Sequence, residues 1–162
     1  MPADGAVITS VEQLKQYIGQ QTRVGEWHLV TQEEINAFAD ATGDHQWIHV
    51  DVERAKNGPY HGTIAHGFWT LSAAPFILRG GEGIQVRLPS RLGLNYGLNR
   101  VRFINPVPVG KRIRARAKLL SVEEVQPNVI QQISEITVEI EGESKPAMVA
   151  ESITRSYLEA QG

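Results

Sequence analysis

The residues best equipped for chemistry lie in one short stretch, Phe38-Ala-Asp-Ala-Thr-Gly-Asp-His-Gln-Trp-Ile-His-Val-Asp51. It holds a carboxylate, Asp44, and an imidazole, His49, five positions apart. An Asp and a His that face one small molecule can act as an acid–base pair: one accepts a proton from water while the other delivers one to carbon or to a leaving group. Spacing alone does not make the two side chains converge. Taken singly, Asp44 is also an Asx-turn former just beyond a helix stop, and His49 is also a hydrogen-bonded structural histidine.

Three further histidines, His45, His61 and His66, lie close by and raise the question of a metal. Their spacings match no H-E-x-x-H or similar ligand pattern, so no metal is expected. The chain has no cysteine, which excludes thiol nucleophiles, thiolate zinc sites, iron–sulfur clusters and disulfides together.

The elements that must position this stretch can be read from caps and periodicity. Ser10 and Thr31 each open a capping box, S-x-x-Q and T-x-x-E, so a helix should begin at each. The second carries Ile35, Phe38, Ala39 and Thr42 on one stripe, and Gly43 is placed to stop it in a left-handed conformation. Between the two helices, residues 22–30 form a first strand. Asp51 caps a short helix ending at Gly58-Pro59.

Residues 67–78 are apolar on every side, which predicts a helix buried all round. Pro75 should bend it or shorten it near residues 71–74. From Arg91 onward the period becomes two: Leu92, Leu94, Tyr96 and Leu98 share a parity, and Val101 and Phe103 take the other, which predicts a bulge near Asn99. Ile113, Ala115, Ala117 and Leu119 alternate with Arg112, Arg114, Arg116 and Lys118, giving a strand with one solvated face. Residues 129–141 and 147–158 supply two more strands, with a turn over 141–146. The sum is an α+β chain in which an antiparallel sheet curves around one greasy helix.

With 162 residues, 16 Lys+Arg against 18 Asp+Glu and 41% hydrophobic residues, the chain has the profile of one globular domain spanning residues 1–162. A net charge of −2 gives no basic footprint for nucleic acid or for an anionic membrane. No targeting segment or membrane-spanning stretch is read, so a cytoplasmic protein is expected.

Several ordered motifs together carry a family resemblance. Gly43-Asp44-x-x-x-x-His49 follows the aromatic Phe38, and Ile64-Ala65-His66-Gly67 opens the apolar helix. Further on come Asn95-Tyr96-Gly97-Leu98-Asn99-Arg100-Val101-Arg102-Phe103, Pro106-Val107-Pro108-Val109-Gly110 and Lys145-Pro146-Ala147. The chain resembles the MaoC-like hydratase/dehydratase family, which includes (R)-specific enoyl-CoA hydratases and nodulation-protein-N-like dehydratases. The likeness covers roughly residues 20–158. Gln46-Trp47 stands where many members have Asn-Pro and is similar to the nodulation-protein-N-like branch. The helix position at which (R)-hydratases carry a serine is Pro75 here, with Ser72 one turn earlier.

The resemblance implies a hotdog fold and reversible addition of water to a trans-2-enoyl thioester such as an acyl-CoA, without metal or redox cofactor. By position, Asp44 and His49 become the pair that holds the water and moves its protons. Gly67 becomes the backbone N–H donor to the thioester oxygen, where a helix N-terminus suits developing negative charge. His66, Ser72, Asn95, Asn99 and Arg102 are candidate supporting or substrate-binding residues. Phe68, Trp69, Phe76 and Ile77 are read as core that could also line an acyl tunnel. The Arg112 to Lys118 stripe is read as a solvated face, with contact to coenzyme A phosphates as its alternative. A homodimer, or a dimer-based oligomer, is the family expectation. A hotdog acyl-CoA thioesterase and a non-catalytic acyl-thioester-binding protein are the rival readings.

Overall fold

The computed structural model describes residues 5–159. The N-terminal part holds β1 (Val7–Ile8), α1 (Val11–Lys15), β2 (Gln21–Val24), β3 (His28–Leu29), α2 (Gln32–Thr42), α3 (Trp47–Val50) and α4 (Val52–Lys56). The long helix α5 (Gly67–Ile77) follows, then β4 (Glu82–Gly83), β5 (Gln85–Val86), β6 (Ser90–Phe103), β7 (Arg112–Gln126), β8 (Val129–Ile140) and β9 (Met148–Leu158). Seven strands form one sheet in the order β4-β2-β7-β8-β9-β6, with β3 also paired to β7, and its ladders are antiparallel. The short β1 and β5 pair in parallel beside it.

The caps form as their sequences require. Ser10 and Thr31 both complete capping boxes, with Gln13 and Glu34 as partners, which satisfies backbone donors that a helix start leaves orphaned. Gly43 ends α2 at φ 81°, a conformation that a residue without Cβ adopts freely. The Asp51 carboxylate accepts from the Arg54 N–H at 3.0 Å and starts α4. The strand expected over 22–30 is split into β2 and β3, because the chain leaves the ladder between Val24 and His28.

The main core joins one side of α5 to the inner face of the sheet. Trp69, Ala74 and Ile77 of the helix meet Ile113, Ala115, Val138, Met148 and Ala150 of the strands, with Val30 and Ile35 closing the end. A smaller cluster of Ile8, Leu14, Ile84, Leu119 and Ile130 packs α1 against the other end of β7 and β8. The alternate residues Arg112, Arg114 and Arg116 do lie on the outer face, where Glu139 bridges Arg114 and Arg116 at 2.6 and 2.7 Å and Glu141 pairs with Arg112.

Two expectations need correction. Helix α5 is not buried all round: Phe68 is 68% exposed and Phe76 59%, and Ser72 and Pro75 are exposed with them. The sheet covers one side of the helix only, so Phe68, Ser72, Pro75 and Phe76, at i, i+4, i+7 and i+8, are left on the other. Pro75 does not shorten α5 near residues 71–74: the helix runs through it to Ile77. The bulge at Asn99 is present, since Leu98 pairs with Ser152 and Arg100 with Glu151, but a second lies at Tyr96, between Asn95↔Thr154 and Gly97↔Ile153, and a third register shift falls between Ser90↔Leu158 and Leu92↔Tyr157. The bulges at Tyr96 and Asn99 put Leu98 on the helix-facing side with Val101 and Phe103, while Leu92 and Leu94 stay on the outer face.

Candidate active site

Asp44 lies on the loop released by the Gly43 cap. Its side-chain Oδ1 accepts from the Gln46 N–H at 3.3 Å, an Asx turn that leaves the carboxylate exposed. His49 sits in the single turn of α3 and is only 7% exposed. Its Nδ1 is 2.7 Å from the Ile64 carbonyl oxygen. A carbonyl only accepts, so Nδ1 carries the hydrogen and Nε2 is left with a lone pair. Burial holds the His49 imidazole below its ordinary pKa of 6.5, and the neighbouring His66 pushes the same way, against the Ile64 bond and the Asp44 charge. At neutral pH, His49 is a neutral proton acceptor.

His66 is the residue before α5, yet its side chain does not cap that helix. Instead its Nε2 donates to the backbone oxygen of Asp44 at 2.9 Å. The ring stacks on His49, centroids 3.8 Å apart, and tilts against Phe38 at 5.0 Å. Its Nδ1 is buried and has no hydrogen-bond partner among the described residues. One ligand-capable atom each from Asp44, His49 and His66 falls within 4.8 Å of the others. Each ring also donates one N–H to a backbone carbonyl, which leaves one nitrogen lone pair on each.

A cleft of about 270 Å³ opens beside His49 and is lined also by Tyr60, Gly67, Thr70, Phe103 and Asn105. Gly67 is the first residue of α5, where the amides of the first turn have no partner within the helix and the dipole favours negative charge. A Cβ at Gly67 would stand 2.8 Å from two carbons of the Phe103 ring, so glycine here also permits close packing. Next along the helix, an apolar cavity of about 220 Å³ lies between α5 and the sheet, bounded by Leu71, Ala74, Leu78, Ile136, Met148 and Ala150. Thr70 and Leu71 are chain neighbours on the two walls, as are Ala147 and Met148.

The expected residues therefore separate into two groups. Asp44, His49 and His66 cluster together, and Gly67 shares the cleft of His49. Ser72 instead lines a groove with Pro75, Tyr96 and Leu98, apart from that cleft, and Asn95 lines both this groove and the apolar cavity along α5. Asn99 is exposed at its bulge, and Arg102 is exposed with its guanidinium donating to the Val101 carbonyl at 2.8 Å. Gln32, Thr63, Tyr60 and Asn105 reach the site without a signal in spacing, since each sits in a segment that reads as a cap or a loop.

A family model described as MaoC like domain matches residues 13–141. The chain is 50% identical over 146 residues to 3-hydroxyacyl-thioester dehydratase Z of Mycobacterium tuberculosis (strain CDC 1551 / Oshkosh), covering 90% of this chain and 95% of that protein. It is 46% identical over 138 residues to Nodulation protein N of Rhizobium leguminosarum bv. viciae, covering 85% and 84%. Among solved structures, the R-hydratase PhaJ1 from Pseudomonas aeruginosa superposes with a TM-score of 0.68 at 19% identity, over 97% of this chain and 90% of that one, which shows a shared fold. No helix among the described residues is long and apolar enough to cross a membrane.

Proposed function

The chain belongs to the family of MaoC-like domains, and from that membership we propose that it is a hydro-lyase, a 3-hydroxyacyl-thioester dehydratase built on a hotdog fold. Asp44 and His49 are the proton-moving pair in this reading, and Gly67 is the oxyanion donor. The observation that carries it is the fixed tautomer of His49: the Ile64 carbonyl takes the Nδ1–H and leaves Nε2 as an acceptor, on a residue that clusters with Asp44 and lines one cleft with Gly67.

In the hydration direction, the carboxylate and Nε2 hold one water through its two hydrogens. The water oxygen bonds to C3 of the enoyl thioester while the pair takes a proton from it. The C2–C3 π pair becomes a C1–C2 double bond, the carbonyl π pair moves onto the thioester oxygen, and the Gly67 N–H stabilises the charge that appears there. The enolate then collapses, C2 takes a proton from the pair, and the pair is restored. Dehydration runs the same steps backwards. The apolar cavity beside the cleft suits an acyl chain. An acyl-CoA is the substrate form we assign, with the (R)-3-hydroxy product that the family likeness implies.

A homodimer completes the reading. Strand β6 is an edge strand of 14 residues, nearly all exposed, and α5 turns Phe68 and Phe76 outward. An unpaired edge next to exposed apolar side chains supports isologous pairing of two copies.

The reaction is tested by following the ultraviolet absorbance of crotonyl-CoA and of a longer 2-enoyl-CoA, with product mass, in wild type and Asp44→Asn. Loss of conjugation with gain of one water, abolished by the substitution, is the expected result. Release of free thiol would make the protein a thioesterase instead, and saturable binding without product would make it a binding protein.

A further inference from the structure

We infer that Gln32, on the first turn of α2, is a positioning residue for His49, and that Thr63 works with it. The inference rests on the assignment of His49 to the proton-moving pair. The observation is one side-chain amide that joins three elements. Gln32 Nε2 donates to the backbone oxygen of His49 at 2.7 Å and to Asn36 Oδ1 at 2.9 Å, while Gln32 Oε1 accepts from the Thr63 hydroxyl at 2.6 Å.

Each bond has a physical reason to matter. Helix α3 is a single turn of four residues, so its carbonyls have few intrahelical partners, and His49 is in its third position. The Gln32 amide supplies a donor to the His49 carbonyl. On its other side it takes the hydrogen of Thr63, a buried hydroxyl directly before Ile64. The Ile64 carbonyl fixes the His49 tautomer, so Gln32 holds both ends of that hydrogen bond: the backbone of the donor residue and the neighbour of the acceptor.

The rest of the frame is backbone. Ile64 N–H donates to the Ile48 oxygen at 3.0 Å, Ala65 N–H to the Val107 oxygen at 2.8 Å, and Val109 N–H to the Thr63 oxygen at 2.9 Å. The Ala65 and Val109 bonds fix the 63–65 segment against 107–109 and the Ile64 bond ties it to Ile48 of α3, but none of the three engages the His49 carbonyl. Gln32 is the side chain that ties α2 to that turn at the His49 carbonyl. The His49 carbonyl, which can only accept, fixes which way the amide faces: the Gln32 nitrogen points to it and to Asn36 Oδ1, and the Gln32 oxygen to the Thr63 hydroxyl.

The test uses full-length protein with Gln32→Leu, Gln32→Glu, Thr63→Val and Thr63→Ser. Gln32→Glu keeps the size and the acceptor for Thr63 but removes the donor to His49. The readouts are kcat and KM on crotonyl-CoA, and the imidazole nitrogen NMR spectrum of His49, assigned with His49→Gln. Wild type should show the Nδ1–H tautomer. Both Gln32 variants should lower kcat by roughly 10- to 100-fold with KM changed by less than about twofold, and the His49 spectrum should become a mixture of tautomers. Thr63→Val should give a smaller shift of the same kind, and Thr63→Ser should restore wild-type behaviour. Lower melting temperature with an unchanged His49 spectrum and kcat per folded molecule within twofold would overturn the inference. Absence of enoyl-CoA turnover in wild type would strike the proposed reaction instead, while the His49 spectra would still decide the role of Gln32.

Discussion

The imidazoles of His49 and His66 stack with centroids 3.8 Å apart and planes 25° from parallel, and each donates to a backbone carbonyl, that of Ile64 and that of Asp44. The stack couples the two halves of the site. His66 holds the main chain of Asp44 while its ring forms a wall for His49. Two adjacent rings in a buried setting favour the neutral form of His49, the form that can accept a proton at Nε2.

The sign of the resulting pH dependence follows. The folded-state pKa of His49 lies below 6.5 because of burial. Between that value and 6.5 the unfolded chain binds more protons at this position, so stability rises with pH there. The contribution is complete above 6.5 and is lost as pH falls through the folded value. His45, raised by its hydrogen bond to Asp40, works in the opposite sense. Urea unfolding of wild type and His49→Gln at several pH values isolates the His49 part. We expect wild type to lose more stability on acidification, and the acid limb of kcat/KM to have its midpoint below 6.5. A midpoint above 6.5 would contradict a neutral, desolvated His49.

Removing either member of the pair separates chemistry from folding. Asp44 is exposed on a loop, so Asp44→Asn should leave the melting temperature within a degree or two while turnover falls by about 10²–10⁴. His49→Ala should lower turnover by a similar factor and also cost stability, since it leaves the Ile64 carbonyl without its side-chain donor inside a buried site. Turnover close to wild type in either variant would remove that residue from the mechanism.

The parts of this arrangement that were legible in the sequence are those fixed locally. Capping at Ser10 and Thr31, the Gly43 stop and the alternation of Ile113 to Leu119 each follow from a few adjacent residues. The family motif named Asp44, His49 and Gly67, but their convergence depends on long-range bonds such as His49 to Ile64 and His66 to Asp44, which no periodicity reports. The outward face of α5 is hidden from the sequence for a related reason. Hydrophobicity says that a surface must be covered, and the inner sheet face covers only Trp69, Thr70, Ala74 and Ile77. The second bulge, at Tyr96, is likewise silent in the alternation, because it falls where apolar residues occupy both faces.

Gly67 can be tested through its neighbour. Its Cβ in a Gly67→Ala variant would meet the Phe103 ring at 2.8 Å, so the single substitution should destabilise by about 1–3 kcal/mol through overpacking. With the ring removed by Phe103→Ala, the same change should become neutral or stabilising by up to about 1 kcal/mol, since alanine favours helix over glycine. Thermal or urea unfolding of the four proteins reads the reversal of sign. Equal effects of Gly67→Ala in both backgrounds would show that Phe103 is not what requires glycine at this position.

The proposed dimer predicts where charge would do most damage. Leu94 lies on the outer face of edge strand β6 and is 46% exposed, and Phe76 is 59% exposed on the uncovered side of α5. Neither contributes to the main core, so Leu94→Glu and Phe76→Glu should fold with little loss of stability. If two copies pair through β6 and cover α5, each glutamate would be buried near its own symmetry mate, a like-charge contact that a two-fold interface duplicates. Sedimentation velocity should then show wild type as a dimer and the double variant as a monomer, with association weakened at least tenfold in each single variant. A monomeric wild type at working concentration would refute the pairing. A dimer untouched by both substitutions would move the interface to another face of the sheet, away from β6 and the exposed side of α5.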